Sequence, residues 1–160
     1  MKTTDVSAVN AKNSKAIVDS LNQLLADYHL YYQNLRGFHW NISGPSFFEL
    51  HRQFELMYTE AQVVIDNIAE RILTLGGQPL HTMSDYLAHA TIKEAKGLID
   101  AESTVKTVHE NLGLLLTLER GIVSMASKSD DEATVDMLTP LISAQEKVAW
   151  MLRAFNGKKK

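Results

Sequence analysis

Apolar residues recur at steps of three and four along most of this chain, the spacing that lines one face of an α-helix. From about Ser14, the positions Ile17, Leu21, Leu24, Leu25, Tyr28, Tyr31 and Leu35 predict a first helix. It stops in the stretch Asn41-Ile-Ser-Gly-Pro-Ser46, where Gly44-Pro45 is a strong turn signal. Phe47, Leu50, Phe54, Met57, Ala61, Val64, Ile65, Ile68 and Ile72 predict a second helix over about 46–75, roughly 40–45 Å long at 1.5 Å per residue. Gly76-Gly77 ends it and Pro79 follows. A third helix over about 99–127 carries Val105, Val108, Leu112, Leu115, Leu116, Ile122 and Met125. Gly113 and Gly121 lie inside it, each costing about 1 kcal/mol relative to Ala, so close packing is expected at both. A fourth over about 131–155 carries Val135, Leu138, Leu141, Ile142, Val148, Met151 and Leu152, with Pro140 as an expected kink.

The link between the second and third of these helices is far longer than a hairpin turn, and Ser84 is the expected cap of a short helix over Asp85–Ala90. The predicted fold is all-α: a four-helix bundle with a short extra helix in the connection between helices 2 and 3. A long crossover there fits a ferritin-like bundle. Residues 1–13 read as a flexible N-terminal arm, 14–156 as the bundle and 157–160 as a lysine-rich C-terminal tail.

At 160 residues the chain has room for one domain with a sizeable core. It contains no cysteine, so disulfides, iron–sulfur clusters and thiolate zinc sites are excluded, and any metal must be held by histidine and carboxylate. No apolar run approaches a membrane span, and the first fifteen residues contain no signal-peptide core. A soluble cytoplasmic protein is expected, without a membrane partner. The formal charge of −3 argues against a nucleic-acid-binding body. The ends differ, with Lys2, Lys12 and Lys15 at one and Lys158, Lys159 and Lys160 at the other.

The second helix carries the candidate chemistry. His51 and Glu55 are four apart, as are Asp66 and Glu70, so each pair shares a face. The pairs lie about 16 Å apart along the axis and cannot hold one metal within one chain. Yet 51 with 70, and 55 with 66, share the midpoint 60.5. Two copies packed antiparallel about a dyad there would set His51 against the partner's Glu70, and Glu55 against the partner's Asp66. His39 and His51 lie nearly symmetrically about Gly44-Pro45, so a hairpin would bring them opposite each other. The candidate metal site is His39, His51 and Glu55 from one subunit with Asp66 and Glu70 from another. Its mixed imidazole and carboxylate donors suit iron, zinc or manganese. No histidine has Glu three residues before it, so the intrachain di-iron motif of ordinary bundles is absent.

HWNISGPSFFELHRQFE, the acidic pair in VVIDNIAERI, and LTLGGQP together resemble the Dps family, the twelve-subunit mini-ferritins, over nearly the whole chain. The resemblance implies a ferroxidase site at a two-fold interface, with ligands at His39, His51, Asp66 and Glu70 and a further carboxylate at Glu55. Many members carry Asp at that last place, so Glu55 is a departure. It also implies Fe(II) oxidation, preferably by hydrogen peroxide, with ferric mineral stored in a hollow homo-dodecamer that protects DNA from oxidative damage. Trp40 resembles a family tryptophan that intercepts oxidising equivalents; packing at the hairpin would account for it equally.

Other features admit two readings. Family members often line a three-fold pore with acids near the start of the fourth helix, which makes Asp131 and Asp136 pore candidates. A capping box over Ser129-Asp-Asp-Glu132 is the ordinary alternative. Lys158, Lys159 and Lys160, repeated on every subunit, could contact DNA phosphates non-specifically and associate the shell with the nucleoid; otherwise they are a solubilising tail. A DNA-binding, DNA-compacting shell in which iron chemistry is secondary is therefore the alternative function. His29, His81, His89 and His109 are expected as surface or satisfied interface residues, and Tyr28, Tyr31 and Tyr32 in packing.

Overall fold

A computed structural model of the chain describes residues 11–157, with side chains from residue 14. The N-terminal arm and Lys158, Lys159 and Lys160 lie outside the described residues, apart from positions 11–13, which already belong to the first helix. Five helices follow in order: α1 (Ala11–Asn41), α2 (Phe47–Thr74), α3 (Met83–His89), α4 (Ala101–Ser127) and α5 (Glu132–Phe155). The described residues contain no strand. The four long helices are those the periodicity predicts, and the short one falls in the crossover where the capping signal placed it. Every apolar position assigned to the first helix is buried, and the core continues through Phe54, Ile68, Ile72, Val105, Leu112, Ile122 and Leu138. α1 packs along α2 and across α4, and α4 packs along α5.

The short connections are set by backbone chemistry. Gly44 has φ 101°, a conformation that favours glycine, and its carbonyl accepts from the Phe47 amide at 3.1 Å, turning α1 into α2. Asp130 adopts φ 55° after α4, and the Asp131 amide reaches back to the Ala126 carbonyl at 3.0 Å, closing the helix end. Close packing falls on a different glycine from the two expected. A Cβ on Gly113 or Gly121 would meet nothing within 4 Å, whereas one on Gly77 would lie 2.5 Å from Val18 Cγ1. Gly77 therefore lets the start of the crossover pass tightly over α1. α5 runs through Pro140 as one helix. The cap of α3 is Thr82, two residues before the expected Ser84; its hydroxyl accepts from the Asp85 amide at 3.2 Å.

Polar side chains of α1 fasten the crossover. Asn22 donates to the Gln78 carbonyl at 3.0 Å and accepts from the Leu80 amide at 2.8 Å. Buried Asp27 accepts from the Thr91 and Ile92 amides at 2.6 and 2.7 Å. Asn34 donates to the Lys93 carbonyl at 2.9 Å and accepts from the Ala95 amide at 3.0 Å.

One ionisable group sits in the middle of the bundle. Glu119 of α4 is 0% exposed. Its Oε1 accepts from Tyr28 of α1 at 3.0 Å and from Gln145 of α5 at 2.7 Å. Burial pushes its carboxyl up to about 7, against the lowering influence of those two donors and of Arg120. Unfolded, the group loses its proton near pH 4.5; folded, it keeps it to about 7. Ionising it therefore weighs against the folded state as pH rises through that window, by about 3 kcal/mol in full. Denaturant unfolding of the wild type and Glu119→Gln from about pH 5 to about pH 8 checks this. The glutamine variant should gain stability relative to wild type as pH rises, and a constant difference would show that Glu119 does not titrate differently on folding.

Candidate metal centre

The hairpin brings the two candidate histidines together. His39 lies in the last turn of α1 and His51 near the start of α2. Their rings stack with centroids 3.9 Å apart and planes 17° from parallel. Each Nδ1 is hydrogen-bonded to the other residue's backbone carbonyl, His39 to His51 at 2.7 Å and His51 to His39 at 2.8 Å. A carbonyl can only accept, so Nδ1 carries the hydrogen in both rings. In the neutral ring this tautomer leaves the lone pair on Nε2, the atom an imidazole offers to a metal. The exchange also explains the spacing: residues 39 and 51 must be opposite across the turn for each ring to reach the other's carbonyl.

Aromatic neighbours hold the pair in place. Phe47 stacks on His51 at 5.0 Å, and Tyr58 meets His39 edge-on at 5.4 Å. His39 is 9% exposed, so its ring has little room to turn. Tyr58 and Phe47 were not among the candidates, although Tyr58 lies two helical turns beyond His51 on the same face, a spacing that could have singled it out. Trp40 is 57% exposed and carries the Arg36 guanidinium 4.7 Å from its ring centroid. Arg36 also lies over Tyr32 at 5.3 Å.

Glu55, Asp66 and Glu70 are all exposed on α2. Among the described residues, no three His, Cys, Asp or Glu side chains gather closely enough to hold a metal ion. One chain thus brings His39 and His51 together, with Glu55 one turn on, and keeps Asp66 and Glu70 further along the helix. Phe48 and Leu73 lie on the same face of α2 as the carboxylates, 85% and 59% exposed, and they too share the midpoint 60.5. The polar stripe thus has one exposed apolar side chain towards each end.

Asp131 caps α5. It is buried; Oδ1 accepts from the Thr134 amide at 3.1 Å, and Oδ2 from the Thr134 hydroxyl at 2.6 Å. Arg71 of α2 donates to Oδ1 at 2.6 Å. Both oxygens are engaged, and the cap of α5 is Asp131 instead of the Ser129 of the expected capping box. Asp136 is exposed one turn into α5. Tyr28 and Tyr31 are buried, as expected for packing. His29 stacks on Tyr86 at 3.8 Å, and its burial lowers the pKa of its ring.

A ferritin-like domain model matches residues 18–160. The chain is 45% identical to the DNA protection during starvation protein of Porphyromonas gingivalis over 98% of this chain and 99% of that protein. It is 42% identical to DNA protection during starvation protein 2 of Bacillus anthracis over 89% of this chain and 97% of that one. The crystal structure of the Vibrio cholerae Dps protein, described as a member of a broad superfamily of ferritin-like diiron-carboxylate proteins, superposes with a TM-score of 0.91 at 40% identity, covering 97% of this chain and 99% of that chain. The chain belongs to the Dps family of ferritin-like proteins.

Removing the Asp131 carboxylate tests its part in capping α5 and pairing with Arg71. Asp131→Ala leaves Arg71 without its anion and α5 without its cap, so denaturant unfolding should show a loss of about 3 kcal/mol. A variant as stable as wild type would sink the capping role.

Proposed function

We propose that this protein is a ferroxidase and iron store whose metal sites are shared between two copies of the chain. Fe(II) is the substrate. The Nε2 atoms of His39 and His51 bind it together with Glu55, and the partner's Asp66 and the partner's Glu70 complete the site across a two-fold axis. The observation that carries this reading is the exchanged pair of Nδ1–carbonyl bonds, which presents two imidazoles in the metal-binding tautomer with no third ligand gathered beside them in the same chain. The common midpoint of the carboxylates, the histidine, Phe48 and Leu73 supports an antiparallel pairing of α2 with its copy.

The imidazoles suit Fe(II), and the carboxylates stabilise the higher charge of Fe(III) as the electron leaves. Hydrogen peroxide is the preferred oxidant, so iron and peroxide are consumed together and hydroxyl-radical formation is suppressed. Ferric product is stored in a hollow homo-dodecamer, and the protein works in the cytoplasm. Glu55 reaches one methylene further than an aspartate and adjusts the second iron position.

Mixed assemblies test both the chemistry and the sharing. His51→Ala and Asp66→Ala homo-oligomers should each lose rapid ferric absorbance after anaerobic Fe(II) and then peroxide. A dimer of one His51→Ala and one Asp66→Ala chain keeps one site of the two intact and should regain rapid oxidation. No recovery in verified heterodimers would sink the shared site, and rapid oxidation in both homo-oligomers would sink the ligand set.

The second reading is DNA binding. The names of the relatives point to DNA protection, and the chain ends in Lys158, Lys159 and Lys160. Repeated around an assembly, such tails would give salt-sensitive, multivalent phosphate contacts without base recognition. Deleting residues 158–160 should weaken DNA retention at low salt; an unchanged gel shift would assign the tail to solubility.

A further inference from the structure

We propose that Tyr28 is a redox-active tyrosine that supplies an electron to peroxide reduction when the metal site is short of Fe(II), with Glu119 receiving its phenolic proton. The proposal rests on the ferroxidase reading for its oxidant and adds a site in the bundle core that the ferroxidase ligands do not touch.

The geometry at Tyr28 is that of a phenol with its base in place. The ring is 2% exposed in the core. Its O–H donates to Glu119 Oε1 at 3.0 Å, and the Gln145 amide donates both to the phenol oxygen and to the same Oε1. Three helices thus converge on one proton. A core need not contain such a group: apolar side chains of similar volume would fill the space without the cost of a buried carboxyl. Among the described residues, Glu119 Oε2 and Gln145 Oε1 have no hydrogen-bond partner.

A continuous run of aromatic contacts joins this phenol to the metal-binding histidines. His39 meets Tyr58 edge-on at 5.4 Å, and Tyr58 meets Tyr32 edge-on at 6.0 Å. Tyr32 follows Tyr31 in α1. Tyr31 meets Tyr28 edge-on at 6.0 Å. An electron leaving Tyr28 crosses aromatic contacts and one peptide link to reach the imidazole. Of these four tyrosines, Tyr28 is the one whose O–H donates to a carboxylate, so an oxidising equivalent that moves along the run is trapped there.

Peroxide takes up two electrons and two protons to give two waters. When one Fe(II) occupies the site, it gives one electron and becomes Fe(III). Tyr28 gives the other and becomes a neutral phenoxyl radical. The two protons that make water enter from solvent at the metal site, and the Tyr28 proton crosses to Glu119 Oε1. A later Fe(II) returns the electron, and Glu119 returns the proton. The transfer turns a carboxylate beside a phenol into a carboxylic acid beside a neutral radical, so the buried cluster loses its charge, which a desolvated core favours.

The charged and titratable groups around Glu119 are few. α1 brings Tyr28 and Tyr31, whose phenols burial pushes up. Glu60 of α2 lines a small cavity, about 60 Å³, beside both tyrosines, and its charge also disfavours ionised Tyr31. Arg120 neighbours Glu119 on α4 and pairs with Glu146 of α5. Burial pushes the Glu119 carboxyl up to about 7, so its power to accept a proton falls about tenfold between pH 8 and pH 6.

The test is freeze-quench electron paramagnetic resonance on the full-length assembled protein, loaded anaerobically with less Fe(II) than it has sites and then mixed with peroxide. Ferric absorbance is read in the same samples. The expected result is a tyrosyl signal that narrows when the protein carries ring-deuterated tyrosine. Per Fe(III) formed, the signal should fall at least tenfold in Tyr28→Phe, and about tenfold both in Glu119→Gln and in wild type taken from pH 8 to pH 6. Wild type needs no substitution to fold, so the isotope and pH arms stand even where a variant fails to assemble. Rapid iron oxidation without a tyrosyl signal, or a signal of undiminished size in Tyr28→Phe, overturns the proposal and leaves the ferroxidase reading intact. Absence of rapid iron oxidation in wild type overturns both.

Discussion

The bundle depends on α1 being satisfied on every side. Its apolar stripe packs against α2 and α4, while its polar residues face the crossover and bond to backbone there. Asp27 and Asn34 are buried, and a buried polar group left without its partner costs about 1–3 kcal/mol. The crossover is therefore held where these residues are, at Leu80, at Thr91 and Ile92, and at Lys93 and Ala95. With the crossover fixed, α4 returns against α1 and carries Glu119 to Tyr28. The other end of α1 delivers His39 to the hairpin. Both the stacked histidine pair and the buried phenol–carboxyl cluster follow from where one helix is laid.

Much of this architecture is legible in the sequence because it is written locally. The four long helices come from period, the α1–α2 turn from Gly44-Pro45, and the meeting of His39 with His51 from their symmetry about that turn. What escapes is non-local. Asp27 and Asn34 look like ordinary polar positions on a helix, since their partners are backbone amides and carbonyls some sixty residues away. Glu119 looks like a surface acid beside Arg120; only the packed bundle shows that it points inward. The start of α5 misleads for a related reason. Ser129 and Glu132 match a capping box, but Asp130 takes the left-handed conformation that ends α4, and the cap moves to Asp131, where Arg71 lies within reach.

The two kinds of acid in this chain live in opposite environments. Glu55, Asp66 and Glu70 are in water, where a carboxylate costs nothing to keep and remains free to meet a cation or a partner. Glu119 is out of water, and its proton is held by that exclusion. The exposed acids suit the binding of Fe(II), whose charge must be met by negative charge at the moment of oxidation. The buried one suits taking a proton from a neighbour that is losing an electron. Fold and chemistry are linked through desolvation: the same core that hides Glu119 excludes the water that would otherwise compete for the Tyr28 hydrogen bond.

Sharing a metal site between chains has a physical rationale that begins with the isolated chain. Gathering three carboxylates around two imidazoles inside one bundle would bury like charges together, and each would have to be protonated or neutralised before the protein could fold. Here the histidines are satisfied within the chain by carbonyls, and the carboxylates by water. In the proposed pairing, the unfavourable approach of acids is deferred until the antiparallel α2 helices meet, with Phe48 and Leu73 supplying apolar contact. Cations in such a site would stabilise the pair, because they would bind the assembled form and not the separated chains. In the proposed arrangement assembly and iron binding would be reciprocal, each making the other more favourable, since one chain brings together only His39 and His51.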